Sequence, residues 1–206
     1  YYEKILIFMT DFLTKEEKKI SNEFEKKGYL IRNIIDTESL AKIRKIFIKA
    51  IKKNIKIKSN SIKDEDILNF IHKSVKSSKL NNVRLKIISE INKNKELRKL
   101  YYNISRSYLD TLIGNELSMQ LRINLSIQLP NDKSSLLPLH SDVWSGDSPF
   151  EIVVWLPLVD CYKTKAMYIL PPSKYEKLKK IFTDKKSKSS EKIFKKIKKN
   201  LEWKKI

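Results

Sequence analysis

The sequence predicts an α+β fold in which helices come first and strands second. Three observations predict it. Before Gly114 apolar residues recur at helical spacing; after it they alternate with polar ones. Pro and Gly then punctuate short apolar runs, as between strands. At 206 residues the chain is long enough for one domain with a sizeable core. We read 1–206 as that single domain, with a mainly helical part over 13–113 and a β-rich part over 114–206.

The first helix is expected over 13–27. Thr14 with Glu17 three residues later is a capping box, Ile20 and Phe24 form the apolar stripe, and Gly28 stops it. Residues 29–35 read as a strand. Asp36 or Thr37 caps a second helix with Leu40, Ile43, Ile46, Phe47 and Ile51 inward. A polar loop over 54–63 precedes helices expected at 64–77, 81–89 and 95–112. His72 falls on the first of these, with no Cys, Asp or Glu at ligand spacing, and reads as a surface or boundary residue.

Residues 121–129 alternate without a break. Leu121, Ile123, Leu125, Ile127 and Leu129 face one way, and Arg122, Asn124, Ser126 and Gln128 the other. The polar row holds no Lys or Glu, so it reads either as a pocket lining or as a half-exposed strand surface. A loop over 130–138 follows. Residues 150–159 are almost continuously apolar, which predicts a strand buried on both faces, with Pro157 marking a bulge or edge. Residues 166–170 read as another strand, and Ser173 as the cap of a helix from Lys174. A lysine-rich stretch over 183–200 carries Ile193, Phe194 and Ile197 at helical spacing. Residues 201–206 read as the start of a strand.

The formal net charge is +20. Only six of the 44 basic residues are arginine, the side chain whose rigid fork clamps phosphates and reads bases. The lysines are spread along the chain beside abundant Ile and Asn, as an AT-rich coding sequence would give. A solvated face is expected, and nucleic acid is not the expected partner despite the charge, with a basic nucleic-acid-binding module standing as a third alternative. No run is long and apolar enough for a membrane span, and no signal peptide is expected. The single Cys161 cannot form an internal disulfide, which fits a cytoplasmic setting.

The chemistry centres on Leu139-His140-Ser141-Asp142-Val143-Trp144. In an extended segment His140 and Asp142 point to one face, so an imidazole nitrogen and a carboxylate oxygen can share a metal. A structural His–Asp contact or a turn explains the same pattern. Trp144 and Trp155 could wall a site.

Residues 24–36, Phe-Glu-Lys-Lys-Gly-Tyr-Leu-Ile-Arg-Asn-Ile-Ile-Asp, resemble the opening of the phytanoyl-CoA dioxygenase-like Fe(II)/2-oxoglutarate-dependent oxygenases. Leu139-His140-Ser141-Asp142, Trp144 and Val153-Val154-Trp155-Leu156-Pro157-Leu158-Val159-Asp160 are similar to their central region. Residues 164–173 are similar to the strand that follows it. The likeness spans about 13–173 and is greatest to the subgroup of sporadic surface-carbohydrate biosynthesis clusters. It implies a double-stranded β-helix, or jelly-roll, core with the N-terminal helices packed on it and C-terminal strands missing. It implies Fe(II) held by His140 and Asp142, with 2-oxoglutarate and dioxygen as cosubstrates and a small or carbohydrate-linked metabolite hydroxylated. Gln128, Asn124, Arg122, Ser126 and Trp144 become candidates for cosubstrate or substrate contact. The family's later histidine and its 2-oxoglutarate-clamping Arg or Lys have no counterpart, because no histidine follows His140. Two accounts stand: a truncated oxygenase, or a degenerate, non-catalytic relative that binds without iron.

Overall fold

The computed structural model describes residues 12–57, 62–130, 140–162, 166–170, 172–174 and 204–205. The expected 130–138 loop, the helix from Lys174, the 183–200 stretch and residues 201–203 lie largely or wholly outside them. The chain divides into two compact units: one takes in residues 1–33, 107–117 and 166–206, the other 34–106 and 118–165.

In the first unit, α1 runs Lys15–Lys27. Its capping box is formed: the Glu17 N–H donates to Thr14 Oγ1 at 3.2 Å, and the Thr14 N–H donates to Glu17 Oε2 at 2.7 Å. Gly28 ends the helix at φ +75°, and a Cβ there would also sit 3.0 Å from Pro172 Cγ. Residues 29–35, expected as a strand, have no regular secondary structure. Arg32 instead folds back onto α1, its Nη2 2.6 Å from Glu23 Oε2, and lies over the Tyr108 ring. Tyr108 belongs to α6, Arg106–Ile113. Two short strands, β1 (Tyr168–Ile169) and β2 (Lys204–Lys205), pair antiparallel with Tyr168 opposite Lys205.

The second unit is built on α2, Thr37–Asn54, capped by Asp36, whose Oδ1 accepts the Ser39 N–H at 2.9 Å. Helices α4 (Leu80–Ile91) and α5 (Leu97–Asn103) pack against α2. Their apolar faces meet in a core of Ile43, Phe47, Ile51, Ile87, Ile91 and Leu97. The helix expected over 64–77 is broken into 3-10 turns around a four-residue α3, Ile67–Phe70. The helix expected over 95–112 is split as well. It breaks at Ser105, whose N–H bonds to Tyr102 O three residues back and whose hydroxyl lies within bonding distance of Tyr101 O and Tyr102 O.

The expected α+β fold with a jelly-roll core is not what the chain adopts: the described residues are helical, and their strand content is the β1–β2 pair alone. The runs 121–129 and 150–159 keep an alternating pattern but form no ladder. Ile123 is buried, and Leu125, Ile127, Leu129, Leu156 and Leu158 pack on the helical core. Residues 150–159 are not buried on both faces, since Val153, Trp155 and Pro157 are exposed.

The physical reason lies in the helices' polar side chains. The Asn92 amide clasps the Ile123 main chain, donating to its C=O at 3.0 Å and accepting its N–H at 2.8 Å. Tyr101 Oη donates to Val154 O at 2.6 Å, and Arg44 Nη1 to Leu158 O at 2.6 Å. Arg98 donates to Met119 O and Gln120 O. Backbone groups that a neighbouring strand would satisfy are satisfied by helix-borne side chains instead.

Candidate functional site

His140 and Asp142 lie in the second unit. Ser141 between them is extended, at φ −129° and ψ 137°, which turns both flanking side chains to one side. Asp142 then opens a single 3-10 turn, Asp142–Ser145, closed by Gly146 at φ +99°. A residue with a Cβ is disfavoured there, so the glycine lets the chain reverse directly after the pair. His140 Nε2 stands 3.6 Å from Asp142 Oδ1, and each side chain is about half exposed, at 48% and 47%. That separation is longer than a hydrogen bond. Two cis ligands with bonds of about 2.1 Å to one octahedral ion would lie about 3.0 Å apart, so a small side-chain adjustment brings both onto one metal.

A facial triad needs a third protein ligand. Among the described residues no group of three or more His, Cys, Asp or Glu is placed to hold a metal ion. His72 sits in the 3-10 turn Ile71–Lys73, its Nδ1 3.0 Å from Asn69 O and its ring near Phe70. The described residues thus place one imidazole beside one carboxylate and do not make a complete facial triad.

The other candidates are placed as follows. Arg122, Asn124, Ser126 and Gln128 form one row, and all four are exposed. Trp144 belongs to the Asp142–Ser145 turn, its side chain outside the described set. Trp155 lies on the solvent side of its run, 43% exposed.

A recessed cleft of about 300 Å³ lies elsewhere in this unit, lined by residues including Asp36, Ser39, Lys42, Glu96, Lys99 and Asn103. Asp36, Glu38 and Lys42 are engaged locally. The Ser39 bonds hold the Asp36 carboxyl below its ordinary range, and Lys42 is raised by its pairing with Glu38. These are helix-capping and i,i+4 contacts of α2.

The sequence reading missed the groups that fix the 150–159 run. Tyr101 stands out: burial raises its phenol to about 12, opposed by the Leu156 main chain. Its position falls on the apolar face of the helix expected over 95–112. A Tyr on a core-facing stripe must place its hydroxyl somewhere, and that need was the available signal. No family model, no curated protein and no solved structure matches this chain.

Proposed function

We propose that this chain carries part of the metal site of an Fe(II)/2-oxoglutarate-dependent oxygenase acting on a small or carbohydrate-linked metabolite, in a cytoplasmic setting. The observation that carries the reading is the approach of His140 Nε2 to Asp142 Oδ1 on an exposed turn. The likeness of the flanking residues supports it. The helical fold gives it no support, and the third ligand is not among the described residues. No helix among the described residues is long and apolar enough to cross a membrane.

That no third ligand stands beside the pair among the described residues favours a second reading: a protein that binds its partner or sugar without iron or turnover. One experiment separates the two. The full chain is titrated with Fe(II) under anaerobic conditions, then given 2-oxoglutarate and dioxygen, and succinate is measured. The oxygenase reading expects Fe(II) binding and succinate release, both lost in His140→Ala and in Asp142→Ala. Absence of Fe(II) binding in the unaltered chain, or succinate release retained in both variants, refutes it. A folded chain that neither binds Fe(II) nor releases succinate supports the second reading.

A further inference from the structure

The run 150–157 has a feature the proposed oxygenase does not use. Its exposure alternates: Glu151, Val153, Trp155 and Pro157 face solvent, while Ile152, Val154 and Leu156 face inward. In an extended chain the N–H and C=O of alternate residues point to opposite edges. One edge is occupied, since Val154 O accepts from Tyr101 and, just beyond the run, Leu158 O accepts from Arg44. On the other edge, Val153 and Trp155 make no backbone hydrogen bond among the described residues. Glu151 N–H on that edge is taken by Ser148 O, so among the described residues the run is anchored along one side and open at Val153 and Trp155 on the other.

Open edges are commonly protected by lysine. Here lysine is plentiful elsewhere and absent at this place. From Ser134 to Tyr162 the chain has no Lys or Arg, although 44 of its 206 residues are basic. The same stretch holds Asp142, Asp147, Glu151 and Asp160. Beside the edge Phe150 is 87% exposed and Val153 62%. A backbone edge open among the described residues, outward apolar side chains and carboxylates in a stretch with no Lys or Arg match one kind of partner.

We propose that residues 150–157 are a docking edge that takes up an extended polypeptide segment of alternating apolar and lysine residues as an added β-strand. Main-chain bonds to Val153 and Trp155 supply register and affinity, and the carboxylates select lysine. At about 3.3 Å per residue the run 150–157 is roughly 26 Å long, and its open backbone groups fall at Val153 and Trp155, about 7 Å apart. A second copy of this edge is a poor occupant, because pairing it with itself brings Glu151 and Asp160 of both copies together with no lysine to offset them.

The test is fluorescence polarisation with the full chain and a labelled synthetic peptide alternating Lys and Val. Controls are a Glu/Val peptide and a Lys/Val peptide N-methylated on every second residue. The Lys/Val peptide is expected to bind at least about tenfold more tightly than either control, with affinity falling as salt rises. Val153→Lys and Trp155→Lys, both at exposed positions, are expected to remove at least about tenfold of that affinity while leaving the circular dichroism unchanged. Equal binding of the Lys and Glu peptides overturns the charge selection, and undiminished binding of the N-methylated peptide overturns strand addition. Dimerisation in sedimentation that Trp155→Lys abolishes gives the edge to a second copy and also overturns the proposal. None of these readouts involves a metal, so they stand apart from the oxygenase reading.

Discussion

Asn92 provides the sharpest test of how the extended runs are held. It sits one residue past α4, and its amide does the work of a neighbouring strand. Oδ1 accepts the Ile123 N–H at 2.8 Å, and Nδ2 donates to Ile123 O at 3.0 Å and to Ile88 O at 2.8 Å. Asn92→Ala leaves the Ile123 N–H and C=O without their partner beside a side chain only 4% exposed. A buried polar group left unpaired costs about 1–3 kcal/mol, and partial access of water favours the lower half. The sum for two groups is about 2–4 kcal/mol. With a urea slope of about 2 kcal/mol/M, the unfolding midpoint is expected to fall by about 1–2 M. Asn92→Asp sharpens the test. One carboxylate oxygen still accepts the Ile123 N–H, but the other faces two carbonyl oxygens, so its folded pKa is raised. A raised folded pKa means the folded state binds more protons. The variant's deficit is therefore full above that pKa and shrinks as pH falls towards the unfolded value. An Asn92→Ala midpoint within about 0.2 M of the unaltered chain refutes the reasoning, as does a pH-independent deficit in Asn92→Asp.

Three further outcomes follow from the same geometry. Ile87 is completely buried between α2 and its neighbours, so Ile87→Ala is expected to cost about 2–5 kcal/mol, read as a lowered urea midpoint. Glu23, bonded by Arg32 and then Lys27, and Glu90, bonded by Lys53 and then Lys93, are both lowered from 4.5 to about 2. A depressed folded pKa gives stability present above 4.5 and lost as pH falls towards 2, so melting temperature should drop across that window, and less steeply in Glu23→Gln/Glu90→Gln. Tyr101→Phe removes the donor to Val154 O and is expected to cost about 1–2 kcal/mol by urea unfolding, with hydrogen exchange at 152–158 accelerated.

What could be read from the sequence followed what is local. The Thr14/Glu17 box, the Asp36 cap and the Gly28 stop depend on residues within one turn of each other, and all three are formed. The helical stripe of Ile43, Phe47 and Ile51 marks the centre of the core correctly. The 3-10 breaks around Ile67–Phe70 and the split at Ser105 were not visible, because the apolar spacing runs on through both. The His140–Asp142 pair was legible as a juxtaposition, since an extended Ser141 is enough to create it. A third ligand was not legible, because it depends on chain pairing at long range.

The strands failed for a different reason. Period-two alternation says that one face of an extended run is apolar; it does not say what meets the backbone. At Ile123 and Val154 the sequence pattern is that of a sheet, and the inward rows do pack as a sheet's would. A ladder additionally requires donors and acceptors at the edges, and here one edge finds them on Arg44, Asn92, Arg98 and Tyr101. Those four lie on or beside helices, where a reading by apolar stripe treats polar groups as solvated. Helix-borne donors can hold a strand-like run in place without closing its far edge, whereas an interior place in a sheet would have closed both. The open edge at Val153 and Trp155 is thus the direct consequence of the substitution of side chains for strands. Closing it with an added strand would complete, one ladder at a time, the sheet that the alternation foretold.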